Sequence, residues 1–267
     1  MSKRGLIRGL CFIIALGCFG YLGFYEYQRR NTESNVETLM ARASKASYSF
    51  EETAEAADSG AYSSKNPENP GRKLFLLQQY KPLYEKNKNF IGWIKIDGTG
   101  IDYPVMKSMN GNGEYYLNHD FNQKEDRNGS LFMDDECDIV KPTENWIIYG
   151  HNMKSGKMFG ELDNYKSEAF WAAHPYVSFD TIYETGTYSV MYAFESRVYQ
   201  DTEIAFKYYQ FIDPASPLEF DSAMNEMAKA SFYDTGVRAV YGDRLLILST
   251  CDYDEENGRF VVVCKRD

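Results

Sequence analysis

A succession of short β-prone runs between residues 90 and 264 constrains the fold of this chain more than any other feature. The runs are apolar, rich in β-branched and aromatic residues, and separated by turn residues; they lie at 90–96, 101–106, 129–133, 146–149, 176–179, 186–194, 197–199, 244–249 and 259–264. This pattern predicts an all-β sandwich or barrel. An aromatic content of 16 % suits such a fold and can fill a sizeable core.

Three helical segments are predicted beside the strands. One follows the spacing of apolar residues over 74–84 and is interrupted by Pro82. A second lies near 155–172. The third runs over about 217–230, where Phe220, Met224 and Met227 share one face.

The N-terminus has the pattern of a membrane anchor, predicted over residues 1–30. Basic residues precede a nearly charge-free run of 17 residues from Gly9 to Tyr25. The residues that follow are bulky, so we expect an uncleaved signal anchor with a cytoplasmic N-terminus rather than a cleaved signal peptide. A buried core helix and a lipid-modified Cys18 are the alternatives.

A polar segment separates this anchor from the strands. Residues 31–72 are predicted to be a juxtamembrane spacer, in which Val36, Leu39 and Met40 could line a short helix. The remaining residues, 73–267, form the predicted catalytic domain.

Charge and cysteine content exclude several functions. The formal net charge of −10 argues against a nucleic-acid binder, which needs a basic surface. The 5 cysteines are too few and too scattered for a disulfide scaffold. No His/Cys cluster has zinc spacing, so we expect neither a metal nor another cofactor.

Cys251 is the candidate nucleophile. It ends an apolar run at 245–250 and precedes a polar loop, which would make its thiol accessible on a rigid base. Cys264 continues a run of valines and is expected to be a small core residue. The acidic residues around Cys137 should hold back its ionisation. A buried structural role for Cys251 is the alternative.

His151 is the candidate acid/base, because it also directly follows an apolar strand. Two strand ends at one rim of a barrel would bring it close to Cys251. A structural role is an equal alternative for His151 and the favoured one for His119 and His174.

Arg259 opens the final strand, eight positions after Cys251. If the two strands form an antiparallel hairpin, the two residues face each other. The guanidinium could then hold a substrate carbonyl and the oxyanion formed on attack. A rim salt bridge to Asp252, Asp254 or Glu255 is the alternative.

These residues resemble the signature of sortases, the membrane-anchored cysteine transpeptidases of Gram-positive bacteria. The sequence Ile247-Leu248-Ser249-Thr250-Cys251 with Arg259 is similar to the family's cysteine and arginine motif, and Gly150-His151-Asn152 to its histidine motif. Segments that resemble the class B branch are 92–94, 101–105, 116–121, 129–134 and 150–153. The resemblance covers about residues 73–266. Ile247 departs from the Thr usual in the family, but it lies inside the strand, so catalysis should survive.

The resemblance implies an eight-stranded sortase β-barrel with N-terminal helices and a helix in the long loop before the Cys-bearing strand. It implies Cys251 as nucleophile, His151 as acid/base and Arg259 as clamp, with Leu117, Ser249 and Asn112 as substrate contacts. The expected substrates are secreted proteins with a C-terminal sorting signal similar to Asn-Pro-Xaa-Thr-Asn/Gly, cleaved after Thr through a thioester. The expected acceptor is an amine of a peptidoglycan precursor or cross-bridge. The enzyme would be a single-pass protein of the cell membrane, with an extracellular catalytic domain.

Three other functions stay open at this point. A class B sortase could polymerise pilins, with a lysine side chain as acceptor. The domain could be a membrane-tethered β-barrel binding module without catalysis. A general cysteine protease would hydrolyse its substrate regardless of added amine.

Overall fold

The computed structural model describes residues 14–24, 26–27, 30, 34–35, 37–41, 61–62, 74–251 and 257–267. Eight strands close into one barrel in the order β10-β8-β7-β3-β4-β5-β6-β9. These strands are β3 Phe90–Lys95, β4 Asp102–Met106, β5 Leu131–Met133, β6 Asn145–Gly150, β7 Tyr176–Thr181, β8 Thr187–Arg197, β9 Leu245–Cys251 and β10 Gly258–Arg266. The predicted eight-stranded all-β barrel is therefore confirmed.

Aromatic side chains fill the barrel. Trp146 of β6 and Phe179 of β7 meet edge to face, with ring centroids 5.7 Å apart. Along β7, buried residues alternate with exposed or partly exposed ones, as expected for a strand with one face towards a core. β9 and β10 are mainly apolar, and the side chains of 245–250 and 260–264 are all buried.

We expect Phe179→Ala to lower the free energy of unfolding by about 3–5 kcal/mol, because it leaves a cavity in this core. Phe179 is only 1 % exposed. Tyr176, on the same strand, is 58 % exposed, so Tyr176→Ala serves as the matched control, with a change within about 0.5 kcal/mol. Urea denaturation of both variants measures the difference, and similar losses would contradict this account of the core.

A helix spans Pro217–Ala230 in the long connection between β8 and β9, which confirms the predicted helix before the Cys-bearing strand. The Ser216 side chain accepts a hydrogen bond from the Glu219 N–H at 3.3 Å, and Pro217 stands in the first turn. The helix buries one face against the barrel, formed by Phe220, Ala223, Met224 and Met227.

The other predicted helices differ in detail. The segment 74–84 begins with the short strand β2 Leu74–Phe75, which pairs with β1 Ala61–Tyr62. A 3-10 turn Gln78–Tyr80 and a helix Lys81–Lys86 follow. Pro82 lies in the first turn of that helix rather than interrupting it, since its missing N–H has no partner there anyway.

Two boundaries were also predicted wrongly. The segment 155–172 contains a 3-10 helix Leu162–Lys166 and a short α-helix Glu168–Ala173 instead of one helix. Residues 186–194 and 197–199, predicted as two strands, largely form the single strand β8 Thr187–Arg197.

The predicted anchor and spacer are described only in part. Residues 14–24 are helical, while 1–13, 25 and 28–29 of the anchor lie outside the described residues. None of the helices within the described segments has both the length and the apolar composition needed to cross a bilayer. In the spacer, residues 37–41 are helical, and Leu39 is buried in the same hydrophobic cluster as the barrel core. Most of 42–73 lies outside the description.

Candidate active site

Three neighbouring strands bring the predicted catalytic positions to one rim of the barrel. β6 and β9 run parallel, with Gly150 paired to Thr250. β9 and β10 run antiparallel, with Cys251 paired to Arg259. Because His151 directly follows Gly150, the backbone of Cys251 lies between the positions of the histidine and the arginine. Both adjacencies agree with the prediction that strand ends deliver these residues to one rim.

The residues around His151 fix its backbone on both sides. A Cβ atom on Gly150 would lie only 2.8 Å from the Phe159 ring, so the close packing requires glycine. The His151 carbonyl accepts a hydrogen bond from the Phe159 N–H at 3.0 Å. Asn152 is buried and donates its side-chain amide to Asp163 at 2.7 Å. The Gly-His-Asn motif therefore holds the histidine on a rigid base.

The imidazole of His151 contacts a backbone carbonyl. Its Nε2 atom lies 2.6 Å from the carbonyl oxygen of Leu117, the last residue of the 3-10 turn Tyr115–Leu117. The side chain is half-exposed, so the ring can also meet a molecule bound at the rim.

A buried hydrogen bond joins the ends of β6 and β9. The Thr250 hydroxyl donates to the Gly150 carbonyl at 2.8 Å. Each of these residues directly precedes a predicted catalytic residue. The bond therefore fixes the spacing of the backbones at His151 and Cys251.

Arg259 is half-buried at the start of β10. Its guanidinium donates to the Gly258 carbonyl at 2.9 Å. The carboxylates proposed for the alternative salt bridge, Asp252, Asp254 and Glu255, lie outside the described residues.

A cleft of about 530 Å³ opens at this rim. Apolar and aromatic residues line it together with several acidic ones. The lining residues are Gly113, Glu114, Leu117, Phe132, Asp134, Asp135, Glu136, Tyr149, Gly150, Val198, Tyr208, Tyr209, Gln210, Ser249, Thr250 and Arg259. An apolar cleft with a few polar groups is typical of a ligand site.

Two of the three predicted substrate contacts line this cleft. Leu117 is partly exposed, and Ser249 is buried, with its hydroxyl 2.7 Å from that of Tyr208. Asn112 is exposed and precedes the lining residue Gly113, but it is not among the described residues that line the cleft.

The other two cysteines of the folded part are buried. Burial raises the pKa of the Cys137 thiol to about 12, with the nearby Asp134 carboxylate as a smaller cause. The prediction that Cys137 resists ionisation thus holds, although desolvation is the main reason rather than the acidic loop. Burial also raises the pKa of Cys264, which lies in the core as predicted. Neither thiol is suited to be a nucleophile.

The remaining histidines have local structural contacts. His119 lies with its Nδ1 atom 2.7 Å from the Tyr115 carbonyl and stacks on the Tyr115 ring. His174 caps the helix Glu168–Ala173 and lies with its Nδ1 atom 2.8 Å from the Asp97 carbonyl. Among the residues that the structure describes, no three His, Cys, Asp or Glu side chains cluster as metal ligands would.

Several cleft residues were missed by the sequence analysis. Tyr208 lies in the connection after β8. No strand end or motif near it indicated that it belongs to the cleft. Phe132 and Tyr149 lie in predicted strands, and alternation along a short strand did not indicate which side chains face the cleft. The acidic residues Asp134 and Asp135 were considered only for their effect on Cys137.

Comparison with known proteins gives a consistent result. A sortase-domain family model matches residues 94–267. The chain is 35 % identical over 186 residues to sortase B of Listeria monocytogenes, covering 69 % of this chain and 72 % of that protein. It is 32 % identical over 189 residues to sortase B of Staphylococcus aureus, covering 70 % of this chain and 74 % of that protein.

Solved structures agree with these relatives. A substrate complex of Staphylococcus aureus sortase B superposes with a TM-score of 0.71 at 26 % identity, covering 90 % of this chain and 98 % of that one. Sortase B from B. anthracis in complex with AAEK1 gives a TM-score of 0.69 at 26 % identity, with the same coverage of 90 % and 98 %.

Proposed function

This chain belongs to the sortase family of cysteine transpeptidases and to its class B branch, and we propose that it attaches secreted proteins to the cell wall. It would cleave a C-terminal sorting signal after Thr and transfer the new carboxyl end to an amine of peptidoglycan. The observation that carries the proposal is the strand register, which pairs Cys251 with Arg259 and Gly150 with Thr250.

The proposed chemistry divides the work among three side chains. The Cys251 thiol gives its proton to His151, and the thiolate attacks the Thr carbonyl carbon. Arg259 stabilises the negative oxygen that develops. The imidazolium then protonates the leaving amine, and a thioester remains on Cys251. An acceptor amine attacks the thioester, His151 takes the amine proton, and the thiol is restored as the new amide forms.

The cleft supports a peptide substrate of the sorting-signal type. Its volume of about 530 Å³ suits a short extended peptide, and its apolar side chains can bury an apolar residue. We propose a signal similar to Asn-Pro-Xaa-Thr-Asn/Gly, with Leu117 and Ser249 as contacts. Asn112, adjacent to the cleft edge, is retained as a contact within reach of a longer peptide.

The N-terminal helix supports membrane anchoring. Sortases act at the cell envelope, and we propose that residues 1–30 anchor this one with its catalytic domain outside. Residues 31–72 would form the connection to the domain at 73–267. Large apolar side chains on the helical residues 14–24 are exposed, including Ile14, Phe19 and Leu22. Such a surface gains free energy by entering a bilayer.

Anchoring also serves the reaction. Enzyme, substrate tail and acceptor would share one membrane surface, which raises their effective concentrations. The acidic residues that line the cleft, Glu114, Asp135 and Glu136 among them, would attract cationic groups such as the ammonium form of an acceptor.

The experiment that tests this function is mass spectrometry of the full chain mixed with a library of sorting-signal peptides. We expect an acyl adduct on Cys251 that is released by hydroxylamine and transferred to added amines. A peptidoglycan cross-bridge peptide should be a better acceptor than a pilin lysine peptide; the reverse result would favour pilin polymerisation. Hydrolysis that no amine diverts would overturn the transpeptidase reaction in favour of a protease.

We expect Arg259→Ala to lower kcat by about 10²–10³-fold, the usual cost of losing an oxyanion donor. Arg259→Lys should recover little, because an ammonium lacks the planar fork of the guanidinium. Arg238→Ala is the control: it removes the same charge from an exposed residue paired with Asp234 at 2.8 Å. Steady-state peptide cleavage measures all three, and an equal loss in the Arg238 variant would indicate a general charge effect.

A further inference from the structure

We infer that the backbone carbonyl of Leu117 holds neutral His151 with its proton on Nε2, so that Nδ1 is the nitrogen that exchanges protons with Cys251. This inference deepens the proposed function and rests on the proposed role of His151. Leu117 acts here through its carbonyl, as a positioning residue, in addition to the substrate contact proposed for its side chain.

The position of Leu117 in the barrel determines which way the ring points. The 3-10 turn Tyr115–Leu117 packs against β5, which borders β6 on the side away from β9. The Nε2 atom, 2.6 Å from the Leu117 oxygen, is therefore directed away from the strand that carries Cys251. Within the ring, Nδ1 is the nitrogen nearer the His151 backbone, and that backbone follows Gly150, the partner of Thr250 in β9.

A close backbone approach fixes the Leu117 carbonyl. Gly129 has a φ of +59°, and a Cβ atom there would lie 2.4 Å from the Leu117 oxygen. The Ser130 N–H donates to the Tyr116 carbonyl at 2.9 Å, which ties the same turn to the start of β5. Glycine at 129 thus lets the turn come close enough to place its last carbonyl against the imidazole.

The chemistry of the contact assigns the proton. A carbonyl oxygen only accepts, so Nε2 must donate, and in the neutral ring Nδ1 is then the free acceptor. Nδ1 can take the Cys251 proton and later return one to the leaving amine. The Nε2–H bond to Leu117 stays in place throughout, so the ring keeps its orientation in both half-reactions.

The experiment is two-bond ¹H–¹⁵N NMR of the full chain labelled at histidine. The chain has 3 histidines, which substitution of His119 and His174 by Gln separates from His151. We expect the ratio of the Nε2–H to the Nδ1–H form of His151 to exceed that of free histidine by about fivefold or more, the factor given by one net hydrogen bond. A predominant Nδ1–H form, or the tautomer ratio of free histidine, would overturn the inference.

Two variants separate the carbonyl from the side chain. Gly129→Ala displaces the carbonyl and should shift the His151 tautomers towards the ratio of free histidine. Leu117→Ala keeps the carbonyl and should leave the wild-type tautomer ratio unchanged; a shift there equal to that in Gly129→Ala would contradict a carbonyl effect. If Gly129→Ala does not fold, the wild-type and Leu117→Ala spectra still decide the question.

Failure of the tautomer assignment can be distinguished from failure of the proposed function. The tautomer is read in the resting enzyme, whereas function is read from the thioester on Cys251. A thioester with an Nδ1–H histidine would leave the function standing and remove only the role of Leu117. An Nε2–H histidine without any thioester would support the role of Leu117 and overturn the proposed function.

Discussion

Cys251→Ala is expected to abolish transpeptidation, with a loss of roughly a millionfold in kcat, the scale seen when a catalytic nucleophile is removed. The reason is that neither of the other two thiols of the folded domain can take the acyl group: burial raises the pKa values of Cys137 and Cys264, and both thiols are enclosed. Product formation from a sorting peptide, followed by chromatography, measures the loss.

Cys137→Ala is the matched control for this variant. It removes a thiol that lines no part of the rim and accepts a hydrogen bond from the Ile147 N–H at 3.3 Å. Stability should fall, but the folded fraction should keep its kcat. If Cys251→Ala retained measurable thioester formation, the assignment of the nucleophile would be wrong.

His151→Ala is expected to lower kcat by about 10⁴-fold, the upper range for general acid–base catalysis, because one imidazole serves both half-reactions. The loss should be smaller for an ester analogue of the sorting peptide, since an alcohol leaves with less need of protonation than an amine. Comparing the amide and ester substrates in steady-state assays therefore reports the acid role directly.

His174→Ala is the control for loss of an imidazole. His174 contacts the Asp97 carbonyl at 2.8 Å and is not among the residues that line the cleft. Its removal should leave kcat of the folded protein unchanged. Equal losses for the amide and the ester in His151→Ala would contradict the role of His151 as the acid that protonates the leaving amine.

Most of the fold could be predicted from the sequence, because strands and helices leave local patterns in it. Short apolar runs between turns marked the strands, and the face shared by Phe220, Met224 and Met227 marked the helix before β9. Local patterns failed where tertiary pairing decides. Leu74 has helical spacing with Leu77 and Tyr80, but together with Phe75 it pairs as a strand with Ala61–Tyr62.

In the candidate site, too, local sequence predicted some contacts and missed others. The opposition of Cys251 and Arg259 follows from a hairpin, in which spacing along the chain fixes the partner. The position of His151 near Cys251 was predicted only from the general expectation that two strand ends at one rim of a barrel lie close together. The contact of its ring with the Leu117 carbonyl, and that of Ser249 with Tyr208, join distant segments through groups that no motif marks.

The hydrogen bond from Thr250 to the Gly150 carbonyl spans 100 residues of chain. Contacts between such distant segments form only as a β-barrel closes, after the loop-closure entropy has been overcome. A nascent chain would therefore carry its cysteine without the histidine beside it. The candidate site would thus be assembled only on completion of the fold, so a partly folded chain would lack it.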